Sequence, residues 1–67
     1  MATIKIIWKD GTESYARGMG CYTPFKENAK QYRSILIAGR TARQIQNFGE
    51  LVKDVIIQSN GKEYRAF

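Results

Sequence analysis

Two dipeptides constrain the fold of this chain more than anything else in it. Asp10-Gly11 and Asn60-Gly61 each stand between runs in which apolar and polar residues alternate. Asp-Gly and Asn-Gly are preferred centres of two-residue type I′ turns, because both central residues must take positive φ. Period-two alternation on either side marks a half-buried strand. A β-hairpin is therefore expected at each end, over 3–17 and 54–67.

In the first hairpin, Ile4, Ile6 and Trp8 alternate with Lys5, Ile7 and Lys9. Counting outward from a two-residue turn pairs Trp8 with Glu13, Ile6 with Tyr15 and Ile4 with Arg17. That register gathers Ile4, Ile6, Trp8 and Tyr15 on one face, which needs cover. In the second, the same count puts Ile57 opposite Tyr64 and Val55 opposite Ala66.

The middle of the chain changes character. Residues 17–21, with Gly18 and Gly20, show no period and read as a loop. Thr23-Pro24 fits a helix N-cap followed by proline at the first helical position. Phe25, Ala29 and Tyr32 then recur at helical spacing, with Lys26, Lys30 and Arg33 one position later. A short helix over 25–33 would set an aromatic stripe beside a basic one, and a loop is the alternative. Ser34–Ala38 is a β-branched run that reads as a strand ended by Gly39. Thr41 and Gln44 fit a capping box. Ala42, Ile45 and Phe48 continue a helical face that Gly49 would close. Residues 50–54 extend either that helix or the last strand. The expected architecture is α+β: a small antiparallel sheet from two β-hairpins plus a central strand, with one or two short helices. The expected order is β-β-α-β-α-β-β in a single domain over 1–67.

A chain of 67 residues has room for one small core. Its hydrophobic fraction of 43% and charged fraction of 25% are those of a globular chain rather than a disordered one. The single cysteine, Cys21, cannot close an internal disulfide. No apolar run approaches the roughly 18 residues of a membrane span, and the start lacks a signal-peptide pattern. A cytoplasmic protein with no membrane partner is expected.

The chemistry available is narrow. With no histidine, the usual general base, the usual metal ligand and every Ser-His or Cys-His pair are missing. The carboxylates are scattered and match no metal loop. Gly18-Met19-Gly20 lacks the Gly-Lys-Ser/Thr ending of a phosphate loop. Cys21 has neither a base nor a resolving thiol. The expectation is a protein that is not an enzyme and uses no cofactor or metal.

Charge is unevenly placed. Between Arg17 and Arg43 lie Arg17, Lys26, Lys30, Arg33, Arg40 and Arg43 against one acid, Glu27, which equals the net charge of +5 of the whole chain. Lys5, Lys9, Lys53, Lys62 and Arg65 are balanced by Asp10, Glu13, Glu50, Asp54 and Glu63. A neutral frame thus carries a basic middle, and like charge gathered in this way attracts polyanions or acidic surfaces. Lys26, Arg40 and Arg43 fall at the two expected helix starts, where the dipole favours acids by roughly 0.3–1 kcal/mol. An anion bound there would reverse that penalty. Tyr22 is the aromatic best placed to meet a ligand, beside cations in the manner of a stacking platform. Phe25 is assigned to the core, Tyr32 to the core with its hydroxyl at the edge, and Trp8 to the core or to a seam between copies.

The candidate binding residues are therefore Arg17, Tyr22, Lys26, Lys30, Arg33, Arg40 and Arg43. Three functions fit. The first is a small binding protein that engages nucleic acid or another polyanion, chiefly through phosphate contacts. The second is a stoichiometric protein inhibitor or adaptor with an acidic target, of the kind phages and mobile elements encode against nucleic-acid-handling or defence complexes. The third is a self-assembling structural subunit, a homo-oligomer joined through an edge strand or the Trp8 face.

Overall fold

The alternating pattern of the two ends does form strands, and those strands pair with each other. The structure, a computed structural model, describes residues 1–18, 21–48 and 50–65, without the side chain of Phe48. Strands β1 (Ala2–Trp8), β2 (Glu13–Gly18) and β3 (Cys21–Thr23) come first. A single turn of 3-10 helix, Lys26–Asn28, leads to helix α1 (Ile35–Phe48), and β4 (Val52–Ser59) and β5 (Lys62–Arg65) follow. The five strands make one antiparallel sheet in the order β3-β2-β1-β4-β5. The α+β class holds, but the strand order and the second helix differ from expectation.

The second hairpin has the expected register. Asn60 at φ 53 and Gly61 at φ 77 supply the two positive values of a type I′ turn. Ser59 pairs with Lys62 and Ile57 with Tyr64. The expected partner of Val55, Ala66, lies outside the described residues.

The first hairpin is shifted by one residue. Only Gly11, at φ 91, is left-handed there, so a type I′ turn cannot form. Instead Trp8 N–H donates to the Thr12 carbonyl at 2.9 Å, and Gly11 N–H to the Trp8 carbonyl at 3.0 Å. This is a three-residue loop with glycine at its left-handed position. Asp10 Oδ1 fixes it by accepting from Thr12 N–H at 2.9 Å and Thr12 Oγ1 at 2.6 Å. Those two bonds hold the Asp10 carboxyl below the usual carboxylate range. Ile6 now faces Ser14, and Tyr15 faces Lys5. A one-residue shift exchanges the faces of a strand. Tyr15 therefore leaves the Ile4–Ile6 face, and the small Ala16 enters the core.

Residues 35–38 are helix, not strand. Ser34 is the cap: its Oγ accepts Ile37 N–H at 3.2 Å, and its carbonyl accepts Ala38 N–H at 3.1 Å. Ala38, Ala42 and Ile45, spaced four and three residues apart, form the buried stripe that packs on β4 and β1. Ile35–Ile37 occupy the first turn, and Gly39 and Thr41 lie inside the helix rather than at a break and a cap. The expected C′ residue, Gly49, lies outside the described residues. Residues 52–54 join the strand: a bulge leaves Lys53 unpaired between Asp54 opposite Ile7 and Val52 opposite Trp8. The bulge lets Val52 and Val55, three residues apart, both face inward.

The expected helix over 25–33 reduces to the one 3-10 turn. Thr23 ends β3, and its Oγ1 accepts Phe25 N–H at 3.2 Å. Part of the expected 17–21 loop is strand, ending in a short hairpin with β3. Residues 30–32 run extended between β1 and β2, with Lys30 N–H on the Ala16 carbonyl at 2.9 Å and Tyr32 exchanging two backbone bonds with Ala2. Phe25 is 57% exposed, so it is not core. Trp8 is half-buried against the core, donates Nε1–H to Ser14 Oγ at 3.0 Å, and meets the Tyr22 ring edge-on.

The core is therefore one layer between α1 and the centre of the sheet, with Ile4, Ile6 and Val55 its largest fully enclosed side chains. A Cβ on Gly39 would lie 3.8 Å from Ile57 Cδ1, an ordinary contact. Gly39→Ala is expected to raise stability by about 0.5–1 kcal/mol through helix propensity. Ile4→Ala is expected to lower it by about 2–5 kcal/mol. Urea denaturation of both variants checks the packing.

Candidate partner-binding face

The seven residues singled out by charge and aromaticity do not form one patch. Arg17 is exposed at the bulge between Ala16 and Gly18, where β2 turns from β1 towards β3. Tyr22 is 40% exposed, but its ring is engaged: it stands perpendicular to Trp8 with centroids 5.3 Å apart. Lys26 lies in the 3-10 turn and borders a polar hollow at the Ser59–Glu63 hairpin end, with Thr3 and Gln31. Lys30 stands over the Tyr32 ring, 5.4 Å from its centroid, a cation–π contact of about 0.5–1 kcal/mol. Arg33 is exposed in the bend before α1. The basic stripe of Lys26, Lys30 and Arg33 is lost with the helix that would have aligned it.

Arg40 and Arg43 are brought together, in a setting different from the expected one. They lie inside α1, so they do not bracket a helix start and the dipole argument for an anion there falls. With Leu36 they fall at i, i+4 and i+7, one stripe along the helix. That stripe borders a groove of about 360 Å³ between α1 and β5, to which Ile35, Ile57, Tyr64 and Arg65 also contribute. Among the described residues α1 packs on β4 and β1 and leaves the inner face of β5 without cover, which opens the groove. Among the described residues no acid lines it. Leu36 is 69% exposed, Ile35 40% and Tyr64 39%, so apolar surface and guanidinium groups share one face.

Ile35 and Leu36 are not among the expected site residues because their run reads as a strand, and Tyr64 and Arg65 are not because the second hairpin reads as charge-balanced scaffold. A signal was present: Ser34 as cap followed by Ala38, Ala42 and Ile45 gives a complete buried stripe, which turns Leu36 outward.

Two ion pairs form among the described residues. Lys5 meets Glu13 at 3.3 Å, and Arg65 meets Asp54 at 3.7 Å. Cys21 is exposed, with a free thiol. Among the described residues no three His, Cys, Asp or Glu side chains converge as a metal site would need, and no helix is long and apolar enough to cross a membrane.

Among the described residues the fold is thus an antiparallel five-stranded sheet with one α-helix across part of one face and a mixed cationic and apolar groove beside it. No protein-family profile, curated protein or solved structure matches the chain.

Tyr32 lies away from this groove, on the β1–β2 side of the sheet, where it pairs with Ala2. Its ring is buried, and its hydroxyl is enclosed without a hydrogen bond of good geometry. Burial raises its pKa, and the nearby Thr41 side chain offsets this only in part. Below about pH 10 both folded and unfolded chains keep this proton. As pH rises further the unfolded chain releases it first, so stability falls. Tyr32→Phe is expected to leave stability at pH 7 unchanged or slightly higher, and to reduce the loss above about pH 10. Denaturation curves at both pH values check this.

Proposed function

We propose that the protein is a non-enzymatic binding module that docks a protein partner carrying an acidic and partly apolar surface, through the α1–β5 face. The observation that carries this reading is the composition of the groove, where Arg40 and Arg43 stand among exposed Leu36, Ile35 and Tyr64 with no acid. Phosphate contacts need cations and hydrogen-bond donors but gain little from an exposed leucine. Protein interfaces favour arginine and aromatic residues around an apolar centre. A cationic face with complementary potential on its target also speeds encounter and rejects basic competitors. The target is then an acidic protein, which fits the role of a stoichiometric inhibitor or adaptor.

Engagement of nucleic acid or another polyanion is the second reading. The observation favouring it is the segregation of charge, with the whole net +5 placed between Arg17 and Arg43. It would use Lys26, Lys30 and Arg33 as much as the two helix arginines, and its affinity would fall steeply with salt.

The two readings separate in a pull-down from native lysate, with and without nuclease. Tagged wild-type protein is compared with Arg40→Glu/Arg43→Glu and with the control Lys9→Glu/Lys53→Glu. The proposal expects a stoichiometric protein that survives nuclease, is lost with the helix variant and is kept by the control. Recovery of nucleic acid alone, or equal loss in both variants, contradicts it.

A further inference from the structure

The groove lies beside an unpaired strand edge, and the two features together describe a more specific occupant. β5 is the last strand in the sheet order, so one side of it has no neighbour among the described residues. In a two-residue hairpin the pair flanking the turn exchanges both backbone bonds, and bonded and unbonded pairs then alternate. Ser59 and Lys62 flank the turn, so Lys62 and Tyr64 direct their backbone N–H and C=O groups at β4. Glu63 and Arg65 direct theirs outward, which leaves two donors and two acceptors spaced to receive another strand.

Side chains follow the same alternation. Tyr64, opposite the buried Ile57, lies on the helix side of the sheet. A strand added beside β5 would therefore set every second side chain over the groove, against Tyr64 and the Leu36–Arg40–Arg43 stripe. Charge complementarity selects what those side chains are. Among the described residues the groove is bordered by Arg40, Arg43 and Arg65 and by no acid; Arg65 also meets Asp54 at 3.7 Å, and Glu63, on the other face of β5, is held by Gln58 at 2.8 Å.

We infer that the partner enters as an extended segment that adds a sixth strand to β5, with acidic and aliphatic side chains alternating into the α1–β5 groove. This inference rests on the docking reading above and specifies its geometry. Main-chain bonds to Glu63 and Arg65 supply register, and the side chains in the groove supply selectivity. The charged residues of β5 serve until then as protection against indiscriminate pairing, the usual role of charge on an exposed edge.

The probe is a blocked heptapeptide, Glu-Thr-Leu-Thr-Glu-Thr-Leu, which places Glu and Leu on one face of a strand. A version with Lys in place of Glu is the control. Binding is read by titration in amide-resolved NMR on the full chain, and hydrogen exchange of Glu63 and Arg65 is followed with and without peptide. The proposal expects the acidic peptide to bind, the lysine peptide to fail, and the Glu63 and Arg65 amides to become protected. Arg40→Glu/Arg43→Glu and Glu63→Pro should each weaken binding by about tenfold or more. Glu63→Pro removes an outward donor that β4 does not use, so the hairpin tolerates it in principle. Should that variant not fold, the exchange readout on the wild type stands alone, since it needs no variant.

Retained binding with Glu63→Pro and unprotected edge amides would overturn strand addition while the docking face stands. Equal binding of the two peptides would overturn the docking face itself. Failure of both peptides to bind would overturn the strand proposal. Protection of Glu63 and Arg65 in a free protein that sediments as a dimer would give the edge to a second copy instead. Displacement of the acidic peptide by a single-stranded oligonucleotide at lower concentration would give the face to nucleic acid.

Discussion

The pairing of β1 with β4 is the contact on which the rest of this structure depends. It runs from Ala2 opposite Ser59 to Trp8 opposite Val52, almost the full length of both strands. Ile4 meets Ile57 and Ile6 meets Val55 across it, and all four are buried. A chain of 67 residues can build one such seam, and everything else is attached to it. The helix lays Ala38, Ala42 and Ile45 along the seam. The alanines let it approach closely, and the bulge at Lys53 keeps Val52 in contact where the strand would otherwise turn it outward.

Placing the helix on the central seam has a consequence at the sheet margins. One helix cannot cover five strands. The β2–β3 side is closed in part by the chain itself, as residues 30–32 hydrogen-bond to both β1 and β2 and bring Tyr32 into the core. Among the described residues the β5 side has no such cover. The exposed face of α1 and the inner face of β5 therefore form an open groove, and the chemistry of that groove follows from helix phase. With Ser34 as cap, Leu36, Arg40 and Arg43 turn towards β5. The candidate site is a by-product of where the core had to be.

How much of this was legible in the sequence differs from element to element, for physical reasons. The second hairpin was readable down to its register, because Asn60 and Gly61 both adopt the positive φ that their types favour. The first carried the same kind of signal, but the Asp10 side chain captures Thr12 and makes a longer loop, so the register moved by one and Tyr15 changed face. The Ile35-Leu36-Ile37 run was ambiguous in principle, since a short apolar run fits a buried strand or a helical turn equally. Tertiary packing decided it. The seam needed a stripe from Ala38 to Ile45, which made Ser34 the cap and left Thr41 in mid-helix. A helix over 25–33 would have been too short to stand without packing, and pairing of Tyr32 with Ala2 won over it. The charge segregation was plain in the sequence. Which cations share a face was not, because that depends on helix boundaries: moving the start from Thr41 to Ser34 changed the surroundings of Arg40 and Arg43 from free backbone N–H groups to Leu36 and Tyr64.

Residue-resolved amide hydrogen exchange on the isolated protein tests the central claim most directly. If the β1–β4 seam under α1 is the core, amides of β1, β4 and the Ala38–Ile45 face exchange slowest, at the rate of global unfolding. The outward amides Glu63 and Arg65 of β5 exchange fast. Slowest exchange in β2 and β3 instead, or rapid exchange along β1 and β4, would contradict the account.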